Sequence, residues 1–136
     1  MKKIIILGGT GLVGQALKNF WQDRYQVELH GRAAFVSENN LTHLIDGADI
    51  VLQLAGANIG NRWHKGYEQE LIDSRVKTTA LLNRALAKCE RLPQHILAAS
   101  AIGFYPQTLN CQTPHDETQT EPGDDFLAQL SVQWEN

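Results

Sequence analysis

A glycine-rich turn near the N-terminus has residue types and a spacing that could bind phosphate groups. It reads Gly8-Gly9-Thr10-Gly11-Leu12-Val13-Gly14 and stands between the apolar run Ile4–Leu7 and a segment with helical periodicity. Glycines there permit a tight turn, let the backbone approach a pyrophosphate and let a helix pack closely against a strand. A helix that begins in this turn presents unpaired N–H groups and a partial positive charge to the phosphates. The alternative is a glycine-rich turn that binds no ligand.

The residues that follow the second predicted strand indicate which dinucleotide such a turn would hold. Val27–Leu29 is followed by His30, Gly31 and Arg32. A site that prefers NAD places Asp or Glu at the end of this strand to bind the ribose 2′-hydroxyl. Glu28 lies inside the strand, whereas the Arg32 guanidinium can pair with a 2′-phosphate. The pattern therefore favours NADP over NAD, and a merely solvated Arg32 is the alternative.

Two later strand ends carry further candidates, because ligands in an open parallel sheet lie beyond the carboxyl ends of its strands. Leu54, Ala55 and Gly56 follow the third predicted strand, where small residues let the backbone lie against the adenosine ribose or simply pack closely. Ser100 and Tyr105 follow the fourth strand, and such residues could polarise a carbonyl group and relay a proton. Both residue types are common, so a catalytic role and an ordinary rim position stay open.

The long predicted helix adds two charged side chains, Glu70 and Arg75. Arg75 can reach a phosphate or a ribose and Glu70 can accept from ribose hydroxyls, or both can be solvated helix charges. A metal site is not predicted, because His64 has no second histidine at metal-ligand spacing. Cys89 and Cys111 show no Cys-x-x-Cys or ligand spacing either, so reduced cytoplasmic thiols are expected.

The elements that must position these residues alternate between strand and helix, which predicts βαβ units. We expect an α/β fold, a three-layer Rossmann-type doubly wound parallel sheet with the strand order 3-2-1-4. The predicted strands are residues 4–7, 27–29, 49–54 and 95–99. Helices are predicted after the glycine turn, over 41–45, over about 67–88 and from 126 onward, and the polar segment 106–125 is predicted to be a lid or a disordered loop.

Length and composition exclude several classes of protein. A chain of 136 residues has room for one domain, and 43% hydrophobic with 20% charged residues is ordinary for a globular protein. No apolar run approaches the roughly 20 residues of a membrane span, and the N-terminal run is too short for a signal peptide. All 12 lysines and arginines lie at or before Arg91, as do 9 of the 15 acidic residues, so this part of the chain has a net charge of +3. That charge is too small to indicate binding of nucleic acid. We therefore expect a cytoplasmic protein that binds a small anionic ligand.

Taken together, these residues resemble the extended short-chain dehydrogenase/reductase superfamily, and within it the epimerase-family subgroup often labelled nucleoside-diphosphate-sugar epimerase. The resemblance covers nearly the whole chain. It runs through the glycine turn, Leu54–Ile59, Arg62-Trp63, Ser74–Val76, Ser100–Tyr105, Asp125–Ala128 and Trp134-Glu135. It implies NADP contacts from Thr10, Gly11, Leu12, Val13, Arg32, Leu54, Ala55, Glu70 and Arg75, and the glycine and strand-end arguments add Gly8, Gly14 and Gly56.

The chain departs from the superfamily at its catalytic pair. Extended reductases carry Tyr-x-x-x-Lys, whereas the corresponding stretch here has Phe126 in place of Tyr and Leu130 in place of Lys. The epimerase-family subgroup also lacks this pair, so the resemblance does not imply the proton relay that Tyr and Lys provide in extended reductases. Ser100 is also one residue out of step with the usual serine relative to Tyr105.

Members of the superfamily are roughly twice this long, in keeping with a complete two-part reductase. Residues 1–136 are therefore expected to be the NADP-binding part, without the substrate region, and to associate with another chain through the apolar stripe Phe126–Trp134. For a full-length protein the resemblance implies hydride transfer at a sugar nucleotide or another hydroxyl or ketone carbon. A catalytically silent NADP-binding sensor and a structural fragment that binds nothing are the alternatives.

Overall fold

The computed structural model describes residues 1–107 and 113–136, which form two units, Met1–Ala99 and Ser100–Asn136. The first unit contains a four-stranded sheet and three α-helices, and the second contains the last α-helix. Cys111, with part of the polar segment 106–125, lies outside the described residues. The expectation that residues 1–136 form a partial NADP-binding Rossmann domain, without the substrate region, stays a prediction.

The sheet of the first unit is parallel throughout, as predicted. Its strands are β1 (Lys3–Leu7), β2 (Gln26–His30), β3 (Ile50–Gln53) and β4 (His95–Ala98). Each end lies within one residue of its predicted position. Ile4 pairs with Val27 of β2 on one side and with Ile50 of β3 on the other, which places β1 inside the sheet.

The strands lie in the order β2-β1-β3-β4, so the predicted order 3-2-1-4 is wrong. β3 joins the sheet beside β1 instead of outside β2. Its side chains Val51 and Leu52 are buried on opposite faces, as a central strand requires. β2 carries the polar residues Gln26, Glu28 and His30 at alternate positions, which suits the edge of the sheet.

Helices cover both faces of this sheet and produce the three predicted layers. α1 (Leu12–Trp21) lies on one face, and α2 (Glu38–Ile45) and α3 (Tyr67–Leu86) lie on the other. Each fully buried aliphatic side chain contributes roughly 1.5–3 kcal/mol. The face under α1 contains Ile4, Ile6, Leu17, Trp21 and Leu52, and the opposite face contains Ile5, Leu7, Leu41, Ile45, Val51, Leu82 and Ala85.

Short-range signals set the ends of the helices on the second face. The Ser37 hydroxyl accepts a hydrogen bond from the backbone N–H of Asn40 at 3.1 Å and so caps α2. Gly47, with a φ of 74°, follows the end of α2, and Gly66, with a φ of 88°, precedes α3. Between β2 and α2 the chain forms a short 3-10 helix, Arg32–Phe35.

The second unit contains a 3-10 helix, Ile102–Phe104, and α4 (Phe126–Glu135). The Asp125 carboxylate accepts from the backbone N–H of Ala128 at 2.8 Å and caps α4. The N–H of Gly123 donates to the carbonyl of Phe104 at 2.9 Å, which joins the segment before α4 to the turn after Ser100. In the described part of the chain, no helix combines the length and the apolar character that crossing a bilayer requires.

Cys89 follows α3 in the first unit and is a free thiol. Its Sγ donates to the carbonyl of Ala85 at 3.4 Å. Burial, and secondarily the charge of Asp46, raise the pKa of this thiol above its ordinary value. The reactive thiolate is therefore disfavoured near neutral pH.

Candidate functional site

The carboxyl ends of β1 and β3 form a crevice where the winding of the sheet reverses. The chain leaves β1 towards β2 on one side and leaves β3 towards β4 on the other, and ligands of open parallel sheets bind at such a point. Gly8 follows β1 with a φ of 73°, and a Cβ added to it would lie 2.5 Å from the backbone N of Ala55, which lies just beyond β3. Glycine at position 8 therefore lets the two strand ends approach each other.

A cavity of about 670 Å³ opens at this crevice, within the usual size range of small-molecule sites. Its walls come from the turns after β1, β2 and β3 and from residues of α3. The predicted cofactor residues that line it are Gly8, Thr10, Gly11, Arg32, Leu54, Ala55, Gly56 and Glu70. Residues that line it without having been predicted as contacts include Gly31, Phe35, Gln69, Asp73, Ser74 and Thr78.

Four predicted cofactor residues, Leu12, Val13, Gly14 and Arg75, do not line this cavity. The side chains of Leu12 and Val13 are 89% and 58% exposed, so neither is packed into the core. Gly14 packs inward, because a Cβ added to it would lie only 2.1 Å from the carbonyl oxygen of Gly9. Gly14 therefore allows α1 to pack against the turn, which is the close-packing role expected of one of the glycines.

The start of α1 presents N–H groups that the helix does not use. The first helical hydrogen bond runs from Gln15 N–H to the carbonyl of Gly11 at 3.1 Å. The N–H groups of Leu12, Val13 and Gly14 have no acceptor among the residues that the structure describes. A Cβ added to Gly11 would meet only the Gly8 carbonyl within 4 Å, at 3.9 Å, so space is open at this end of the helix. This combination is what an anion cradle requires.

Arg32 begins the 3-10 helix after β2, and both Arg32 and Phe35 line the cavity. The Asn40 side chain holds this helix by donating to the carbonyls of Ala33 and Ala34, each at 3.1 Å. Arg32 is exposed and has no hydrogen bond or ion pair with any residue in 1–107 or 113–136. Its guanidinium is therefore free to receive an anion.

Phe35 is the aromatic residue that sequence reasoning missed at this site. No motif contains Phe35. Residues three positions apart in a 3-10 helix lie on the same side, so the separation of Phe35 from Arg32 along the sequence could have indicated that both face the cavity. Phe35 also packs against the core under α2 and α3, which fixes its ring at the cavity wall.

Glu28 is held by its neighbours on the sheet and does not line the cavity. Its carboxylate lies 3.3 Å from the Lys3 ammonium and 3.4 Å from the imidazole of His30. Burial alone would raise the pKa of Glu28, but hydrogen bonds from Lys3, His30 and Gln26 outweigh it and lower that pKa below its ordinary value. This agrees with the sequence argument that Glu28 is misplaced for the ribose hydroxyl.

We expect Glu28→Gln to lower the free energy of unfolding near pH 7 by less than about 1 kcal/mol, because water screens a partly exposed ion pair. The folded pKa lies below the unfolded one, so the contribution is present above the unfolded pKa and disappears as pH falls through the folded pKa. Urea unfolding at pH 7 and at about pH 3 measures this difference, with Glu90→Gln as an exposed control. A Glu28→Gln difference that stayed constant over this range would contradict the assignment.

Arg75 is half-buried on α3, behind the turn that follows β3. Its guanidinium donates to the carbonyl of Ala57 at 3.0 Å and to the carbonyl of Leu71 at 3.2 Å. Burial lowers the pKa of this guanidinium from its ordinary value, and the nearby phenol of Tyr67 opposes that shift. The structure thus places Arg75 next to the cavity wall while its donors bind backbone carbonyls.

The two predicted catalytic residues, Ser100 and Tyr105, are brought together by the second unit. They line a cavity of about 540 Å³ with Glu117 and Glu135. The Ser100 hydroxyl donates a short hydrogen bond to the Glu135 carboxylate. The Tyr105 ring stacks on His115, with ring centroids 5.5 Å apart. Sequence reasoning noted Glu135 only as part of a resemblance and missed its link to Ser100.

No cluster of histidine, cysteine, aspartate or glutamate side chains within residues 1–107 and 113–136 has the arrangement of a metal site. The chemistry available to the described residues is therefore the binding of phosphates and polar groups at the first cavity. At the second cavity it is hydrogen bonding and proton exchange at a serine, a tyrosine and two carboxylates.

Comparison with known proteins gives this arrangement a family context. The family model described as "NAD dependent epimerase/dehydratase family" matches residues 4–126. An epimerase family protein of Staphylococcus haemolyticus is 33% identical over 147 aligned residues, which cover 99% of this chain and 48% of the relative. The epimerase family protein SDR39U1 of Bos taurus is 30% identical, with 98% of this chain and 47% of the relative covered. The chain thus spans about half the length of the curated relatives it matches.

Solved structures agree with the fold. The human epimerase family protein SDR39U1 (isoform 2) with NADPH superposes with a TM-score of 0.81 and 28% identity, covering 98% of this chain and 47% of that one. UDP-N-acetylglucosamine 4-epimerase from Bacillus cereus has a TM-score of 0.75 and 22% identity, covering 99% of this chain and 51% of that one, and its likeness concerns the fold alone. The predicted Rossmann-type α/β class is confirmed.

Proposed function

Because this chain belongs to the NAD dependent epimerase/dehydratase family, we propose that it is the cofactor-binding part of an epimerase-like oxidoreductase that holds NADP beside its glycine turn. That membership confirms the resemblance to extended short-chain dehydrogenases and reductases. A bound nicotinamide supplies hydride chemistry, and the residues of this chain bind and orient it. The proposed substrate of a full-length protein is a sugar nucleotide or another molecule with a reactive hydroxyl or ketone carbon.

One observation carries the proposal, namely that an open helix N-terminus and an uncommitted arginine border the same cavity. Gly8 and Gly11 line it at the start of α1, and Arg32 lines it at the end of β2. Backbone N–H groups and a helix N-terminus favour a pyrophosphate. A guanidinium on a neighbouring strand end suits a further phosphate, because its planar fork can donate two parallel hydrogen bonds to oxyanions.

The preference for NADP over NAD is the finer part of the proposal. Arg32 supports it, as does the position of Glu28, which is paired with Lys3 and His30 and does not line the cavity. The human relative SDR39U1 was solved with NADPH, and this chain is 28% identical to it. Glu70, which lines the cavity, is proposed to accept from ribose hydroxyls.

Titration of the protein with NADPH and with NADH, followed by nicotinamide fluorescence, tests the proposal. We expect saturable binding of NADPH and weaker binding of NADH. An absence of saturable binding by both cofactors would overturn it. Equal affinity for the two would remove the role of Arg32 and leave only the general claim of dinucleotide binding.

We expect Arg32→Ala to weaken NADPH binding by roughly 10- to 100-fold, the equivalent of about 1.5–3 kcal/mol for hydrogen bonds to a charged group. NADH, which lacks the 2′-phosphate, should be affected less than about twofold. Arg24→Ala is the matched control, since Arg24 is an arginine that does not line the cavity. Equal losses for NADPH and NADH in Arg32→Ala would show that Arg32 does not select the cofactor.

Ser100 and Tyr105 are proposed to polarise a carbonyl group and relay a proton, because both line the cavity of the second unit. A catalytically silent NADP-binding sensor is the competing function, and it is favoured by Phe126 and Leu130 at the positions of the superfamily's Tyr and Lys. Turnover of NADPH with carbonyl substrates by a protein of the relatives' full length distinguishes the two.

We also propose that the protein is cytoplasmic, because its two cysteines show no spacing typical of a disulfide framework. The proposal includes association with another chain through Phe126–Trp134, where Phe126, Leu127 and Trp134 are only half-buried.

A further inference from the structure

The cavity of the second unit contains a hydrogen-bonded pair, Ser100 and Glu135. The Ser100 hydroxyl donates to a carboxylate oxygen of Glu135, and both residues line this cavity of about 540 Å³. A serine hydroxyl has one hydrogen to donate and two lone pairs that accept. Because its hydrogen is committed to Glu135, Ser100 presents acceptor lone pairs to a ligand. Ser100 is therefore suited to accept a hydrogen bond from an alcohol and not to donate one to a carbonyl oxygen.

The sequence of the second unit leaves this serine without the usual helpers of a reductase. Phe126 and Leu130 stand where the superfamily carries Tyr and Lys, and residues 100–136 include no lysine or arginine. A proton that leaves a substrate hydroxyl therefore needs another acceptor within hydrogen-bond reach. The Glu135 carboxylate is the ionisable group that is bonded directly to Ser100.

Tyr105 lines the same cavity with a hydroxyl of the opposite character. Its ring stacks on His115, with an angle of 5° between the planes, and Nε2 of His115 lies 3.0 Å from the Pro106 carbonyl oxygen. These contacts hold the phenol ring in place. Within the part of the chain that the structure describes, the Tyr105 hydroxyl has no hydrogen-bond partner, so its hydrogen stays available to a ligand. The cavity thus combines a donor at Tyr105 with an acceptor at Ser100.

We propose that Ser100 accepts the proton of a substrate alcohol while it passes its own proton to Glu135, which acts through Ser100. The pair would then take over the proton relay of the absent Tyr and Lys. This inference rests on the proposed oxidoreductase function. It divides the roles that Ser100 and Tyr105 share there, because Tyr105 polarises the substrate oxygen and Ser100 moves the proton.

The proposed step conserves protons and electrons. During oxidation the substrate O–H bond breaks as its proton bonds to Ser100 Oγ, and the Ser100 O–H bond breaks as that proton joins a Glu135 oxygen. The substrate carbon gives up a hydride, with its electron pair, to the nicotinamide of the proposed function, and a carbonyl compound remains. Glu135 is exposed, so water can remove the proton that it receives. Reduction follows the same path in reverse.

NMR of the ligand-free chain tests whether the pair exists. The carboxylate carbon signal of Glu135 is assigned by its loss in Glu135→Gln. We expect Ser100→Ala to shift this signal, because the carboxylate loses a donor, and Thr118→Ala to leave it unchanged. Thr118 is the matched control, since its hydroxyl donates to the Asp116 carboxylate at 2.5 Å and it does not line the cavity. A Glu135 signal that Ser100→Ala leaves in place would overturn the proposal.

Turnover by a protein of the relatives' full length, with NADPH and either glyceraldehyde or benzaldehyde as the probe, tests the relay. We expect Glu135→Gln to lower kcat by about 100-fold, as loss of general acid–base catalysis does, with the dissociation constant of NADPH changed less than about twofold. Sodium formate should restore activity to Glu135→Ala but not to Ser100→Ala, because the added carboxylate still needs the hydroxyl. Glu121→Gln is the control, since Glu121 is an exposed carboxylate of the same unit that does not line the cavity.

Several results would overturn the relay. One is a kcat of Glu135→Gln within about threefold of that of the unchanged protein. Another is an equal loss in Glu117→Gln, which would mean that negative charge in the cavity matters and the bond to Ser100 does not. A loss that formate does not restore would mark Glu135 as merely structural. If Glu135→Gln fails to fold, Ser100→Ala takes its place with the same expected loss of kcat. Absence of turnover by the unchanged protein would refute the enzymatic part of the proposed function as well, whereas an active protein indifferent to Glu135→Gln would refute the relay alone.

Discussion

We expect Gly14→Ala to lower the free energy of unfolding by about 3 kcal/mol and to abolish NADPH binding under conditions where the native chain saturates. The added Cβ would lie 2.1 Å from the Gly9 carbonyl oxygen and 2.4 Å from the Gly9 Cα, and both are backbone atoms that cannot turn aside as a side chain would. Helix α1 must then move away from the glycine turn, which displaces the N–H groups of the cradle. Thermal and urea unfolding, with cofactor titration below the melting temperature, measure both effects.

Gly11→Ala is the control for that change, because it adds the same methyl group a few residues away. Its Cβ would meet only the Gly8 carbonyl oxygen, at 3.9 Å, so stability should fall by less than about 1 kcal/mol, mainly from the poorer N-cap. Gly11 lines the cavity, so Gly11→Ala should still weaken NADPH binding. A Gly14→Ala protein as stable as Gly11→Ala would refute the account of close packing.

We expect Gln53→Met to cost about 2 kcal/mol of stability and to weaken NADPH binding several-fold. Gln53 is fully buried at the end of β3. Its amide nitrogen donates to the Thr78 hydroxyl at 3.3 Å, and its amide oxygen accepts from Ala55 N–H at 3.4 Å. Methionine keeps the shape but loses both hydrogen bonds of the buried amide, and an intramolecular hydrogen bond contributes about 0.5–1.5 kcal/mol. Denaturant unfolding and fluorescence titration provide the two measurements.

Gln69→Met is the matched control for Gln53→Met. Gln69 lines the cavity, which Gln53 does not, and Gln69 is exposed and bonds only to Asp73 within the described residues. Its replacement should change stability by no more than about 0.5 kcal/mol. Equal losses of stability from the two substitutions would mean that the hydrogen bonds of the buried Gln53 amide do not stabilise the turn after β3, residues 55–57.

The glycine turn could be predicted because its requirements are local. The turn, the close contact of Gly14 with Gly9 and the open space at Gly11 all arise within seven consecutive residues. The strands could be placed because short apolar runs rich in β-branched residues, such as Ile4–Leu7 and Ile50–Leu52, are typical of strands. The order of the strands could not be predicted, because it depends on which run has to be buried on both faces.

The parts of the site that sequence reasoning missed depend on contacts between distant residues. Arg75 binds a carbonyl 18 positions earlier in the chain, and Ser100 binds a carboxylate 35 positions later. Charge and helical spacing place Arg75 on α3 but do not say whether its donors meet a ligand or a backbone. The resemblance implies a cofactor contact, which stays a prediction, and the contacts within the chain are to the carbonyls of Ala57 and Leu71.

The position of the first cavity in the chain has a consequence for biosynthesis. Every residue that lines it falls between Gly8 and Thr78, and the sheet is complete at Ala98. Ribosomes add roughly 5–20 residues per second, so the residues of this unit are joined a few seconds before Asn136 is added. A ligand that binds only a folded form increases its population by mass action. A dinucleotide bound as proposed would therefore favour the folded form of Met1–Ala99, whose residues are all joined before those of Ser100–Asn136.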